Sequence, residues 1–364
     1  MKLLIGGSPC THWSIAQTKN RETTAEGIGW ELFLNYRIAR DKYQPDYFLY
    51  ENNKSMSPAI RTQVTAELGV EPMLINSALV SAQNRQRLYW VGRRNPDGTY
   101  SQVPVEQPED RGILLRDILD TGVAWSEKSY CITATEAKGS NPQQTLTKHR
   151  RTMVAEPVRI GTIENDAKKP DYDSQQYRVY SPDGKGVTLC GNGGGLGAKT
   201  GLYATPVGGP DGRVCPVYEV RDGFITIKGK RYPIKLRDGF YIIRKLTVRE
   251  CMRLQTVPET YTFPVSDTQA YKMLGNGWTV EGIAHIMSHF DGLTKEPVEA
   301  LSMYDGMSCG HIALDKLGAE ITAYYATEID KYAIQTTQHN FPDIVQLGDA
   351  FQVRDDDWRL GEEL

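Results

Sequence analysis

Ala300-Leu301-Ser302-Met303-Tyr304-Asp305-Gly306-Met307-Ser308-Cys309-Gly310 is the stretch that decides the fold. Ala300–Tyr304 reads as a strand, Asp305–Gly310 as a glycine-containing turn, and the residues to about Leu317 as a helix. A strand that turns this way into a helix lets a ligand approach backbone N–H groups at the helix N-terminus. The alternation continues downstream. Ile321–Thr327 is a strand ending at Glu328, Lys331 to about His339 a helix, and Ile344–Leu347 a strand ending at Asp349. An acid about 20 residues past the turn can bind ribose hydroxyls, and Asp349 can accept from an adenine amino group. Glycines alone would fit any tight strand–helix turn. With acids at two strand ends, the unit reads as a mononucleotide-type βαβ.

The other end of the chain alternates in the same way. Lys2–Ile5, Tyr47–Tyr50, Pro72–Leu79 and Arg87–Val91 read as strands, and Gly27–Lys42 and Pro58–Leu68 as helices. Cys10, in Gly6-Gly7-Ser8-Pro9-Cys10, follows the first strand, and Glu51, in Glu51-Asn52-Asn53, follows the second. A thiol and a carboxyl at the same end of neighbouring parallel strands is an arrangement for chemistry. The fold class is α/β.

Between these ends the composition changes. From Arg93 to about Arg244 the chain is rich in Gly, Pro, Thr and basic residues, with short strand-like pieces. It reads as a separate, mostly β domain. Its run Gly191-Asn192-Gly193-Gly194-Gly195-Leu196-Gly197 fits neither a regular helix nor a strand. Helical pattern returns at Thr247–Leu254 and Val280–Phe290. The net charge of −3 hides an asymmetry: residues 128–253 hold 22 Lys/Arg against 12 Asp/Glu, while the last 74 residues hold 5 against 15. A basic middle between acidic ends suggests a polyanion docked on one lobe.

At 364 residues, 40% hydrophobic and 24% charged, the composition is that of a globular protein of two domains. No apolar run of about 18 residues or secretory pattern is present, so neither a membrane span nor secretion is expected. The six cysteines lack paired metal-ligand spacing, which favours neither zinc nor a disulfide framework and suits a reducing cytoplasm. Cys131, Cys190, Cys215 and Cys251 read as structural, Cys309 as a small residue that fits its turn, and His12 and His149 as non-catalytic.

Taken together, the pieces resemble the cytosine-C5 DNA methyltransferases over roughly residues 1–92 and 246–350. Gly6-Gly7-Ser8-Pro9-Cys10 is similar to that family's nucleophile loop, Glu51-Asn52 to its Glu-Asn-Val motif, and Gln83-Asn84-Arg85-Gln86-Arg87 to its Gln-x-Arg-x-Arg motif. Arg249-Glu250-Cys251-Met252-Arg253-Leu254-Gln255 resembles its late helix, Gly275-Asn276-Gly277 with Val280 its closing segment, and Tyr304-Asp305-Gly306 with Gly310 its cofactor turn. Two departures stand out. Asn53 replaces the usual valine, which bears on the packing beneath Glu51. The order is also changed: the cofactor unit, which usually comes first, follows the closing motif, so the chain looks circularly permuted.

The resemblance implies a Rossmann-like doubly wound sheet formed from both chain ends, plus a smaller, mostly β target-recognition domain. Domains are expected at 1–92 (catalytic part), 93–245 (target recognition), 246–290 (closing helices) and 291–364 (cofactor part). Cys10 would attack C6 of a flipped-out cytosine in double-stranded DNA, Glu51 would hold N3 and the exocyclic amine, and Arg87 would hold O2 with Arg85 as helper. Ser8, Pro9 and Asn52 would support the loop. S-adenosylmethionine, with no metal, would lie against Tyr304, Asp305, Gly306, Gly310, Glu328, Ile329 and Asp349, with Asn276 and Trp278 closing the pocket. A monomeric enzyme of a bacterial or phage-infected cytoplasm is expected. An RNA cytosine-C5 methyltransferase and a catalytically silent DNA-binding relative are the alternatives; a basic domain of this size and the intact Cys10, Glu51, Arg85 and Arg87 speak against them.

Overall fold

The computed structural model describes residues 1–9, 12–14, 21–138, 141–148, 151–158, 179–180, 202–203 and 217–355. The first stretch of elements is β1 (Lys2–Gly6), α1 (Ile28–Tyr43), β2 (Tyr47–Asn53), α2 (Pro58–Leu68), β3 (Pro72–Asn76), β4 (Gln86–Arg94) and β5 (Tyr100–Gln102). The middle supplies α3 (Pro142–Lys148), β6 (Met153–Val158), β7 (Val179–Tyr180), β8 (Leu202–Tyr203), β9 (Val217–Arg221), β10 (Phe224–Ile227), β11 (Lys230–Pro233) and β12 (Gly239–Lys245). The last stretch is α4 (Val248–Leu254), α5 (Asp267–Asn276), α6 (Val280–Met287), β13 (Val298–Met303), α7 (Cys309–Leu317), β14 (Ile321–Thr327), α8 (Lys331–Asn340), β15 (Val345–Gly348) and α9 (Ala350–Asp355).

Two compact units result: residues 1–118, 128–138 and 248–364 in one, and 119–127 and 139–247 in the other. The first is built on an eight-stranded sheet in the order β15-β14-β13-β1-β2-β4-β3, with β5 on β4. β1 lies parallel between β13 and β2, with Gly6 level with both Met303 and Tyr50. Leu3, Leu4 and Ile5 are fully buried, as a continuous apolar run in a central parallel strand requires. β4 is antiparallel to β2 and β3. Phe33, Tyr36 and Ala39 of α1 and Ile60 and Val64 of α2 pack with Phe48, Tyr50 and Trp90 of the sheet. Helix α2 shows why its bounds were legible: Ser57 Oγ accepts from Ile60 N–H (3.2 Å), Pro58 opens the helix, and Gly69 closes it in the left-handed region.

The sheet winds in two directions from its middle. From β13 the chain steps through α7 to β14 and through α8 to β15; from β1 it steps the opposite way through α1 to β2. The reversal falls between β13 and β1. In an open α/β sheet that is where a ligand crevice forms, beyond the carboxyl ends of the strands. The turn after β13 and the loop after β1 therefore open onto the same crevice, although about 300 residues separate them in sequence.

The second unit holds a five-stranded antiparallel sheet, β11-β10-β9-β12-β6, and the short parallel pair β7-β8. Met153, Ala155, Val220, Ile225, Ile227, Tyr241 and Ile243 form its core. The compositional boundary at Arg93 falls inside β4, because that strand runs unbroken to Arg94 and pairs onward with β5. Residues 93–118 and 128–138 thus belong to the first unit. The glycine run 191–197, Cys190, Cys215 and His149 lie outside the described residues.

Candidate active site

The site begins with β2. Sequence reading ended that strand at Tyr50, but it continues through Asn53, so Glu51 and Asn52 are strand residues with alternating sides. Asn53 is paired with Arg87 across the antiparallel ladder, and Glu51 with Tyr89. The ladder brings the Glu51 carboxylate to Arg87: Oε1 lies 2.9 Å from Arg87 Nε, and the two side chains are 12% and 15% exposed. On the other oxygen, Trp278 Nε1 donates to Glu51 Oε2 at 3.0 Å. Both carboxylate oxygens are therefore held, Oε1 by Arg87 and Oε2 by Trp278.

Asn52 faces the loop after β1. Its Nδ2 donates to Ser8 O (3.2 Å), and Ser8 Oγ and Tyr50 Oη share a 2.6 Å hydrogen bond within the same buried knot. Gly7 passes so close to β2 that a Cβ there would lie 2.6 Å from Glu51 O and 3.0 Å from Glu51 Oε2. The glycine lets the loop reach the carboxylate. Pro9 is exposed at the end of this stretch, and Cys10 lies outside the described residues. Asn53, the departure from the usual valine, costs nothing visible: its amide donates to Asn52 Oδ1 (3.1 Å), and its oxygen accepts from Ser55 N (2.9 Å) and from the Ser55 hydroxyl.

Arg85 is placed differently from the expectation of a catalytic helper. It is 3% exposed, and its guanidinium donates to Ile132 O (3.3 Å), Gly275 O (3.2 Å) and Gly277 O (2.8 Å). A buried cation needs such acceptors, and these carbonyls engage both of its terminal nitrogens. Sequence reasoning also assigned no role to Gln83 and Gln255. Gln83 is fully buried between Ile132 N–H (2.8 Å) and Leu254 O (3.3 Å), and Gln255 Nε2 donates to Leu274 O (2.6 Å) and Gly277 O (2.9 Å). Their signal was present, since both sit in the motifs that carry Arg85 and the late helix. What could not be read was the loop they fasten. Helix α5 ends within that loop at Asn276, whose side chain is exposed.

Cys131 was expected to be structural. Arg85 Nη1 lies 3.4 Å and Arg87 Nη2 3.9 Å from its sulfur. Burial works against ionisation, yet the two guanidiniums hold the thiol below its ordinary range. Cys309 behaves oppositely, with burial pushing its thiol up to about 12.

Across the crevice, the turn after β13 carries three left-handed residues, Tyr304 (φ 60°), Gly306 (φ 61°) and Ser308 (φ 59°). Two of them pay steric strain, the kind of outlier found where a backbone must present its N–H groups. Glu328 fixes the turn: Oε2 accepts from Gly306 N (2.8 Å), and Oε1 from Ile329 N (2.7 Å) and Asp330 N (2.8 Å). Tyr304 Oη donates to Leu32 O (2.7 Å). Asp305 accepts from Tyr324 Oη (2.9 Å) and from the Ser308 hydroxyl, and burial pushes its carboxyl up to about 6 against those hydrogen bonds. Gly310 belongs to packing: a Cβ there would lie 2.2 Å from Ile5 Cδ1.

These residues fit a bound nucleoside. Space beside Gly306 and Gly348 is open, with no atom within 4 Å of a notional Cβ. Ile329, a large apolar side chain, is 74% exposed beside Glu328, and Asp349 is exposed, with Oδ1 accepting from Phe351 N (2.9 Å). Among the described residues no group of three or more His, Cys, Asp or Glu could hold a metal ion, and no helix is long and apolar enough to cross a membrane.

Residues 1–291 match the family described as C-5 cytosine-specific DNA methylase, and the chain belongs to that family. Type II methyltransferase M.HpaII of Haemophilus parainfluenzae is 27% identical over 293 residues, spanning 77% of this chain and 69% of that protein. Type II methyltransferase M1.ScrFI of Lactococcus lactis subsp. cremoris is 58% identical over 300 residues, spanning 77% of this chain and 60% of that one. A crystal structure of S. pombe Dnmt2 methyltransferase aligns with a TM-score of 0.33 at 16% identity, over 79% of this chain and 76% of the other. The family match ends before β13, so the turn at 304–310 stands on its own geometry.

Proposed function

We propose that the chain is an S-adenosylmethionine-dependent DNA cytosine-5 methyltransferase. The observation that carries this is the Glu51 carboxylate, gripped by Arg87 and overhung by the nucleophile loop, at the switch point that also holds the turn after β13. C5 of cytosine is a weak nucleophile until C6 has been attacked. Cys10, next after Pro9, supplies the thiolate; its sulfur bonds to C6, and the C5=C6 electron pair moves toward C5. Glu51 holds N3 and the exocyclic amine, and Arg87 reaches O2, where negative charge develops. S-adenosylmethionine, when bound, supplies an electrophilic methyl group for C5. Loss of the C5 proton to a base restores the double bond and expels the thiolate. The base must leave the duplex for any of this to happen.

Glu328, Ile329, Asp349 and the 304–306 backbone would hold the nucleoside, with Asn276 at the opposite wall. Arg85 is assigned a supporting role, holding the 275–277 backbone. The 119–127 and 139–247 unit would read DNA. Arg221, Lys228, Lys230, Arg231, Lys235 and Arg237 are exposed on it, and basic side chains of this kind supply phosphate contacts. The strand order supports a circular permutation: β1 takes the place beside β13 that a strand continuing from β15 through α9 would otherwise fill. A monomer acting in a bacterial or phage-infected cytoplasm completes the reading.

The test is transfer of labelled methyl groups to double-stranded DNA, with bisulfite sequencing to locate them. Cys10→Ser is expected to abolish transfer while S-adenosylhomocysteine still binds. If that variant also lost cofactor affinity, the division of labour between the two halves would be wrong.

A further inference from the structure

The sequence placed Trp278 on the wall of the cofactor pocket. We propose instead that Trp278 is a positioning residue for Glu51. Its indole N–H locks the carboxylate in the plane that meets the cytosine ring. The inference rests on the methyltransferase reading above and deepens it.

Three observations carry it. First, the indole nitrogen donates to Glu51 Oε2 at 3.0 Å, while Arg87 Nε sits 2.9 Å from Oε1. The terminal torsion of a glutamate is soft and roughly two-fold. One donor leaves the carboxylate free to swing about its bond; a second on the other oxygen fixes the plane. Second, an indole N–H can only donate. It cannot take a proton from Glu51 or compete with it as an acceptor, and each carboxylate oxygen retains a lone pair for the base. Third, the indole projects from a braced segment. Gly277 O accepts from both Arg85 Nη2 (2.8 Å) and Gln255 Nε2 (2.9 Å), and Thr279 Oγ1 donates to Gln255 Oε1 (2.9 Å). The residues before and after Trp278 are therefore pinned by buried side chains, and the pin itself is rigid. This also gives Arg85 a purpose: it acts on Glu51 at second hand, through the backbone from which Trp278 extends.

The experiment compares wild type with Trp278→Phe, and Glu51→Asp with the Glu51→Asp/Trp278→Phe double variant. Steady-state methyl transfer gives kcat, calorimetry gives S-adenosylhomocysteine affinity, and melting monitors the fold. Trp278→Phe is expected to lower kcat roughly 10- to 100-fold, the effect commanded by a hydrogen bond to a charged group. Cofactor affinity should stay within about twofold. In the Glu51→Asp background the carboxylate is withdrawn beyond the indole's reach, so the same change should cost less than about twofold. An equal loss in both backgrounds would assign Trp278 a merely structural role. A large loss of cofactor affinity with kcat preserved would return it to the pocket wall. Should Trp278→Phe melt early, benzothienylalanine at this position keeps the bicyclic shape without the N–H, and the same kinetic outcomes apply. An active wild type with an unaffected variant sinks this inference alone; an inert wild type sinks the methyltransferase reading and this with it.

Discussion

Glu51 has few degrees of freedom left, and its neighbours set out unequal thiols. Cys131 lies beside two guanidiniums that overcome its burial, whereas at Cys309 burial outweighs the opposing pull of the Trp278 backbone and of Arg85. At neutral pH iodoacetamide should alkylate Cys131 ahead of Cys251 and Cys309, as peptide mass spectrometry would show; equal labelling would refute the electrostatic account. Asp305 makes a second residue-scale prediction. Its folded carboxyl titrates near about 6 against 3.8 for the free group, because burial disfavours its charge. Protons bound in the folded state between these values stabilise it. The contribution is full below about 4 and is lost as pH rises through about 6. The melting temperature of wild type relative to Asp305→Asn should therefore fall across that window. A flat difference would mean that the carboxyl is better solvated than its surroundings imply. These roles were hidden in the sequence, since Cys131 gains Arg85 from just before β4 and Arg87 from within it, and Asp305 its hydroxyl partners from Ser308 and Tyr324.

At the scale of elements, the legible parts were those governed by local rules. Pro58–Leu68 was read to the residue because proline, an N-cap serine and a C-terminal glycine mark its ends. Helix α5 was missed: its apolar set, Ala270, Tyr271, Met273 and Leu274, is short, and the glycine that follows drew attention to the loop. The length of β2 was underestimated because Glu51, Asn52 and Asn53 are poor strand formers, and the β4 ladder overrides that preference. The Gln83–Arg87 motif was recognisable, but the burial of Arg85 was not, because the Ile132, Gly275 and Gly277 carbonyls it holds come from distant parts of the chain. Helix α7 and β1 offer a test of packing. Gly310→Ala would drive a methyl into Ile5, which is fully buried, and overpacking of this kind costs about 1–3 kcal/mol. Ile5→Val removes the opposing methyl, so the double variant should recover part of the lost stability in urea melts. No recovery would place the strain elsewhere.

For the whole molecule, the proposed circular permutation can be put to a test. The N-terminal ammonium donates to Pro297 O at 2.7 Å, and α9 rests on α1, where Arg354 Nη1 donates to Asn35 Oδ1 at 2.9 Å. A chain reopened in the exposed 294–297 turn, with its original ends joined by a flexible linker, should fold and methylate as the parent does. If it folds but cannot bind S-adenosylhomocysteine, the present order would be a requirement rather than a historical accident.

The position of β1 also sets a timetable. It leaves the ribosome long before its partner β13, which begins at Val298. At about 5–20 residues per second, translation leaves a gap of roughly 15–60 seconds. Throughout that interval one edge of Leu3-Leu4-Ile5 lacks its neighbour, and an unpaired apolar edge is an invitation to other chains. Nascent chains stalled before residue 298 should therefore be captured by holding chaperones, and full-length chains released. The reopened chain, which makes β13 and β14 first, should depend on such help far less.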